Sequence, residues 1–326
     1  MRFFITGIGG FAGAHLADYL LSAGHEVVGS VTGRPHRPRL RALAARHPRF
    51  KPDDLVCADV TDQAAVERAL AHTAPDGIFH LAAFAFAPSA SADAERAFAV
   101  NTTGTLHVLE AAAREVPGCR VLVAGSADAY GAVGPDELPV GEGTPLQPVS
   151  IYGVSKAAAD MGAFQRWWAT GQAVIRVRPF NHTGPGQSAD FVCSDFARQI
   201  AIIETGAAPP VLHVGTLGVV RDFSDVRDVV RGYALLWERG APGEAYNLCS
   251  GVGSSIATIV DTLRAAARCR FEVVEQSNRM RGREVPALVG AAHRAEELGW
   301  SPQIPLQETL GDLLADWRDQ VAPLRR

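Results

Sequence analysis

The chain opens on a short apolar run that stops at a glycine-rich turn. Arg2–Ile5 is followed by Thr6-Gly7-Ile8-Gly9-Gly10-Phe11-Ala12-Gly13, and a helical pattern begins at once. Strand, glycine turn and helix in that order constrain the fold more than any other feature. Glycine permits a tight turn and lets backbone approach a pyrophosphate. The helix beyond presents unpaired N–H groups and a positive dipole end. The turn therefore predicts a nucleotide-binding α/β fold; the alternative, a plain glycine-rich turn, does not call for this context.

The alternation continues along the chain. Helices are expected over 10–22 (with Gly24 as a stop), 63–72, 94–114 and 153–170, and strands over 26–31, 55–58, 77–81, 120–124 and 173–178. This order predicts βαβ units and a doubly wound parallel sheet. Strands with few polar residues suit a sheet covered on both faces. After Pro179 the pattern loosens into loops at 184–187 and 207–210, helices over 195–204, 226–237, 256–267 and 306–320, and one strand over 244–248. The expectation is a Rossmann-type domain over 1–178 and a smaller, interleaved α/β substrate lobe over 179–326. A segment near 212–250 is expected to return to the first domain.

Composition removes several classes of function. Net charge is −4, with no basic surplus for nucleic acid. No run of about 18 apolar residues suggests a membrane span. The apolar start ends at Thr6-Gly7, so no secretory leader is expected. Cys57, Cys119, Cys193, Cys249 and Cys269 form no CxxC pair, which points to reduced thiols, no metal site and a cytoplasmic setting.

The chemistry is carried by Tyr152-Gly153-Val154-Ser155-Lys156. A four-residue step puts Tyr152 and Lys156 on one helix face. A phenol has a reference pKa of about 10, and a cation one turn away favours its phenolate. The pair is a tunable acid for carbonyl chemistry. An NAD site would place an acidic residue near the end of the second strand. Here Val27–Val31 runs into Thr32-Gly33-Arg34, with Arg37 and Arg39 beyond. With no carboxylate to repel a 2′-phosphate, NADP(H) is preferred and NAD(H) remains possible. Asp59 suits either the adenine end of the cofactor or a cap before Val60-Thr61-Asp62.

Thr6–Gly13, His80-Leu81-Ala82-Ala83, Asn101, Ser126, and Tyr152 with Lys156 together resemble the extended short-chain dehydrogenase/reductases, over nearly the whole chain. These are nucleotide-sugar epimerases, dehydratases and reductases. The resemblance implies Tyr152 as general acid/base, and Lys156 on the nicotinamide ribose lowering the tyrosine pKa. It implies Ser126 on the reacting oxygen and Asn101 as structural support. The implied cofactor pocket comprises Gly7, Gly9, Gly10, Phe11, Gly13, Thr32, Arg34, Asp59, Val60, Leu81, Ala82, Ala83, Asn101, Tyr152, Lys156 and Pro179. The family commonly dimerises through the tyrosine helix and the helix around 97–115. A homodimer is therefore expected, with Leu106, Leu109, Phe164, Trp167 and Trp168 on those helices, unless these side chains pack onto the sheet.

Within the family, Arg178–Gln187, Phe191–Phe196, Arg221–Val229 and Tyr246–Gly251 resemble the GDP-4-keto-6-deoxy-D-mannose reductases. That resemblance implies a GDP-sugar substrate and reduction to GDP-D-rhamnose. A sugar diphosphate needs cations, and Arg221 and Arg281 are the candidates. Glu284 stands where the wider family usually has Asp for a ribose hydroxyl; Asn181 and His182 are candidates for phosphate or sugar, and Phe191 and Val192 for the border of the base. Family dehydratases place Glu two residues after the catalytic Ser/Thr, and some place Asp between. Here those positions are Asp128 and Ala127. Alanine donates no proton, and Asp128, shorter than Glu, suits a sugar hydroxyl. Reduction is thus favoured over a 4-epimerase or 4,6-dehydratase with tightly held NAD(P). A non-catalytic NAD(P)-sensing regulator is the remaining alternative; such proteins typically lose the Tyr or Lys, and both are present.

Overall fold

Period-two burial sets the central layer. In β1 (Arg2–Thr6), Phe3 and Ile5 enter one core and Phe4 the other, as expected of a strand covered on both faces. A computed structural model describes residues 1–33, 38–277 and 285–322. The further strands are β2 (Glu26–Val31), β3 (Val56–Cys57), β4 (Gly77–His80), β5 (Arg120–Ala124), β6 (Val174–Pro179), β7 (Asn181–Thr183), β8 (Val211–Val214), β9 (Val220–Asp225), β10 (Ala245–Leu248), β11 (Gly253–Ser255), β12 (Glu272–Glu275) and β13 (Ala287–Leu288). The described residues form a parallel sheet of 7 strands in the order β10-β6-β5-β4-β1-β2-β3. Strand order reverses between β1 and β4. A crevice opens at the carboxyl ends of strands beside such a switch point.

The helices are α1 (Phe11–Ser22), α2 (Pro38–Arg46), α3 (Gln63–Thr73), α4 (Ala87–Ala92), α5 (Ala94–Phe98), α6 (Gly104–Glu115), α7 (Ile151–Thr170), α8 (Val192–Glu204), α9 (Val226–Arg239), α10 (Ile256–Ala266), α11 (His293–Glu297) and α12 (Leu306–Val321). On one sheet face Leu16 and Leu20 of α1 and Val229 and Leu236 of α9 pack on Phe3, Ile5, Phe79 and Ile175. On the other, Val66 and Leu70 of α3 and Val108 and Leu109 of α6 pack on Phe4, Ile78, Val121 and Val123. A third core joins Phe196 and Ile200 of α8, Ile259 of α10 and Leu310 of α12 to Leu212 of β8 and Phe223 of β9.

The expected helix over 94–114 is α5 and α6 joined by a π turn at Ala99–Thr103. After Pro179 the chain leaves the sheet for β7, β8 and β9, then returns as α9 beneath it and β10 beside β6. Sequence periodicity does not show β7, β8, β9, β11, β12 or β13. These strands run for only 2 to 6 residues, and their pairing partners are distant in the chain. Nor does it show α2, α4 or α11, the last two short at 6 and 5 residues.

Gly77 opens β4 directly under the Trp237 indole, where an added Cβ would sit 2.4 Å from Cζ2. The ring is pinned because its Nε1–H donates to the Arg120 carbonyl at 3.0 Å. Gly77→Ala is expected to destabilise the fold by about 1–3 kcal/mol through overpacking. A chemical-denaturation midpoint equal to that of the parent would contradict this packing.

Candidate active site

The glycine turn is a backbone cradle. Gly7 has φ +70°, and a Cβ there would stand 2.9 Å from the Ala82 Cα. A Cβ on Gly13 would stand 2.4 Å from the Gly7 carbonyl oxygen. Gly10 N–H donates to that same oxygen at 2.8 Å, and α1 starts at Gly10 with no side-chain cap. The first-turn N–H groups thus remain for a ligand, and the glycines let the turn pack backbone on backbone where a side chain would collide. These residues fit a dinucleotide.

A buried polar chain ties this turn to the tyrosine helix. Leu81 and Ala82 N–H groups both donate to Thr6 Oγ1 at 3.1 Å. The one hydroxyl proton of Thr6 then goes to His80 Nδ1, 2.8 Å away. Hence His80 carries its proton on Nε2 and donates to Thr105 Oγ1 at 3.0 Å. Thr105 donates in turn to the Asn101 carbonyl at 2.6 Å. Asn101 Oδ1 accepts from Phe84 N–H at 2.8 Å, and its Nδ2 donates to Ser155 Oγ at 2.9 Å and to the Phe84 carbonyl at 3.3 Å. Ser155 Oγ closes the chain by donating to the Tyr152 carbonyl at 2.8 Å. Burial, with the Lys156 charge nearby, pushes the His80 pKa down to about 3. Its imidazole is neutral at physiological pH.

At the end of β5 the Ser126 side chain caps a short 3-10 turn by accepting from Asp128 N–H at 3.1 Å. The half-buried Tyr152 phenol hydrogen-bonds Ser126 and feels the Asp128 carboxylate. Lys156, 5% exposed, donates from Nζ to the Ala124 carbonyl at 2.6 Å. The expected lowering of the Tyr152 pKa by Lys156 is corrected here. Burial dominates and pushes the phenol up; Asp128 adds to the rise, and only the Ser126 bond opposes it. Burial also lowers the Lys156 pKa, to about 8, against a rise from Asp160. The site therefore holds a phenol that keeps its proton beside a lysine that is mostly charged at pH 7 and loses its charge as pH rises through about 8.

The other expected residues are placed as follows. Gly9 is buried within the turn, and Phe11 stacks on His182 with ring centroids 6.0 Å apart. His182 Nδ1 lies 3.0 Å from the Phe180 carbonyl, and burial lowers its pKa. His182 and Asn181 lie on β7, next to Ser224 and Phe223 of β9. Ala83 follows β4, Pro179 ends β6 beside Leu248, and exposed Thr32 follows β2. Val60 is buried against Gly104. Asp59 is exposed and its carboxylate accepts from Thr61 N–H and Oγ1 at 2.9 and 2.8 Å; the cap of α3 is Asp62. Phe191 meets Phe86 edge to face, and Val192 opens α8 against the third core. Arg221 donates to the Val220 and Val285 carbonyls at 2.8 and 2.9 Å. Arg34, Arg37, Arg281 and Glu284 lie outside the described residues.

Arg39, expected near the 2′-phosphate end of the cofactor, donates to the Gly186 carbonyl. Sequence reasoning missed several groups. His15 Nε2 meets the Pro185 carbonyl at 2.9 Å, so the 184–187 loop is held against α1 as well as α2. Asp160 is clamped by Arg176 and Arg178 behind Lys156. Two arginines two apart in an apolar strand are the signal for that cluster. Among the described residues no group of His, Cys, Asp and Glu could hold a metal ion, and no helix is long and apolar enough to cross a membrane.

Parallel sheet, glycine turn and tyrosine helix together define an extended short-chain dehydrogenase/reductase. Within that class the chain belongs to the family described as GDP-mannose 4,6 dehydratase, whose model matches residues 4–313. It is 35% identical to the GDP-6-deoxy-D-mannose reductase of Pseudomonas aeruginosa, covering 98% of each chain. The structure of RMD from Pseudomonas aeruginosa complexed with NADPH matches with a TM-score of 0.85 and 33% identity, covering 98% of this chain and 100% of that one. The UDP-glucose 4-epimerase of Thermus thermophilus in complex with NAD matches with a TM-score of 0.83 and 26% identity, covering 98% and 99%.

Replacing Asn101 by Leu leaves the Phe84 N–H without its acceptor and Ser155 without its donor. The loss is expected to be about 1–3 kcal/mol for each group left unpaired in the interior. An unfolding free energy equal to that of the parent would show that Asn101 does not brace the site.

Proposed function

We propose that this protein reduces the 4-keto group of GDP-4-keto-6-deoxy-D-mannose with NAD(P)H, giving GDP-D-rhamnose, that is, GDP-6-deoxy-D-mannose. The observation that carries the reading is the Tyr152 phenol hydrogen-bonded to Ser126, with Ala127 and the short carboxylate of Asp128 standing where family dehydratases place Asp and Glu. A reduction needs one proton delivered to an oxygen that is gaining charge. A dehydration would also need a base for C5 and an acid for the C6 hydroxyl; Ala127 supplies neither, and Asp128 is one methylene shorter than the Glu that family dehydratases place there. The relative that is 35% identical is named as a reductase of this kind.

In this reading the sugar C4 oxygen sits against the Ser126 hydroxyl and the Tyr152 phenol. When bound, the reduced nicotinamide supplies the hydride to C4. Tyr152 holds its proton at neutral pH because burial and Asp128 disfavour the phenolate. It gives that proton up as the C4 oxygen becomes an alkoxide. The Ser126 hydrogen bond favours the phenolate left behind, so it acts most strongly in the transition state, while the Ala124 carbonyl holds the Lys156 ammonium at the site. Gly7–Gly13 would hold the diphosphate of the dinucleotide, Thr32, Asp59 and Val60 its adenosine half, and Leu81–Ala83 and Pro179 its nicotinamide half. NADP(H) is favoured over NAD(H) because β2 ends without a carboxylate and Arg34 follows.

On the substrate side, Asn181, His182 and Arg221 meet the diphosphate and sugar, and Phe191 and Val192 border the base. Arg281 is assigned to the diphosphate and Glu284 to a ribose hydroxyl. Asp128 takes a sugar hydroxyl. The protein works as a cytoplasmic homodimer through α6 and α7. Trp168 (73% exposed), Met161 (63%), Phe164 and Leu106 form the apolar face that supports this, while Leu109 is turned inward.

Tyr152→Phe is expected to lower kcat by about 10²-fold or more while NADPH still binds. Near-parental turnover would remove Tyr152 from its role. Added NADPH should be consumed in proportion to product; turnover of the GDP-sugar without net oxidation of nicotinamide would instead indicate an epimerase or dehydratase. Trp168→Glu together with Phe164→Glu is expected to convert dimer to monomer in analytical ultracentrifugation, and an unchanged mass would place the interface elsewhere.

A further inference from the structure

Behind the site lies a buried charge cluster that the proposed chemistry does not use directly. Asp160 follows Lys156 by one helical turn on α7, and its side chain is 2% exposed. Its Oδ1 accepts from Arg176 Nη1 at 2.5 Å and Arg178 Nη2 at 2.9 Å, and its Oδ2 from Arg178 Nε at 3.0 Å. Arg178 goes on to donate to the Tyr130 hydroxyl at 3.1 Å, which donates to Asn247 Oδ1 at 2.7 Å. A Cβ on Gly125 would stand 3.7 Å from Asp160 Oδ2, so the carboxylate lies beneath the strand end whose Ala124 carbonyl holds Lys156.

We infer that Asp160 is a positioning residue: clamped by Arg176 and Arg178 of β6, it fixes α7 against the end of β5 and keeps the Lys156 ammonium charged at the site. The inference rests on the role proposed above for Tyr152 and Lys156. Its physical basis is the charge census around the lysine. From β4 comes His80, which is neutral; from β5, the Ala124 carbonyl. From α7 itself come the Tyr152 phenol and Asp160, and Asp128 and Tyr233 of α9 act on that phenol. From β6 come Arg176 and Arg178, whose positive charges reach the cluster through Asp160. Asp160 is therefore the carboxylate that directly opposes the burial cost of Lys156, and both arginines compete for it. A buried ion pair stripped of its carboxylate leaves its cations uncompensated.

The sign follows. Burial lowers the Lys156 pKa to about 8, so the lysine loses its charge as pH rises through that value. Asp160→Asn should move this loss about 1 pH unit or more towards acid. Arg176→Gln should move it towards alkali, because Asp160 then answers fewer cations. Two profiles read the shift: NADPH affinity against pH by nucleotide fluorescence, and kcat/KM against pH. For Asp160→Asn the expected kcat/KM deficit is about fivefold or more at pH 8 and several-fold smaller at pH 6.5. Uniform losses at every pH, with both alkaline midpoints unmoved, would overturn the inference and leave Asp160 a structural residue. Where Asp160→Asn does not fold, an Arg176→Gln midpoint at or below that of the parent overturns it equally. The NADPH profile needs no sugar substrate. If it shifts as stated in a protein with no reductase activity, the functional reading fails and the positioning role stands.

Discussion

The site depends on one hydrogen-bonded chain that crosses the sheet's switch point. It runs from Thr6 through His80 and Thr105 to Asn101, and from Asn101 through Ser155 to the Tyr152 backbone. Every member is a polar group in the interior, where an unmade bond is expensive. The chain has one proton assignment that satisfies each group, and that assignment requires a neutral His80. Burial and the nearby Lys156 charge supply that neutrality. The π turn at Ala99–Thr103 belongs to the same device, because the helix bearing Asn101 widens at that residue. The glycine cradle and the tyrosine helix are thereby held in one geometry, although 145 residues separate Gly7 from Tyr152 in the chain.

That geometry creates an electrostatic division of labour. Tyr152 is kept protonated by burial and Asp128; burial lowers the Lys156 pKa to about 8 and Asp160 opposes that fall, so the lysine stays mostly charged at neutral pH. A proton donor that holds its proton until an alkoxide forms is what a carbonyl reduction requires. The choice of reduction over dehydration rests on Ala127 and the short Asp128 after Ser126.

Local patterns were legible in the sequence because their partners lie within a turn or two. Gly7 and Gly13 flank one tight turn, and Tyr152 and Lys156 share one helix face; both place chemistry without knowledge of the rest of the fold. The seven-strand sheet was legible in outline because its strands are apolar and regularly interrupted by helices. The Tyr152 pKa was not, because its direction depends on burial and on Asp128, and neither is visible in the spacing of two residues. Asp160 with Arg176 and Arg178 was hidden for a similar reason: the cluster exists only once β6 lies beside β5 under α7. Asp59 shows the reverse case, a residue with two local readings, and in the structure its carboxylate serves its own turn.

The central claim is direct hydride delivery to sugar C4 with Tyr152 as the proton source. Turnover of GDP-4-keto-6-deoxy-D-mannose with NADPH deuterated at nicotinamide C4 on the transferred face tests it most directly. The account predicts one deuterium at C4 of the GDP-6-deoxyhexose for each NADPH oxidised. Product formed with no deuterium at C4, or formed without NADPH oxidation, would contradict it.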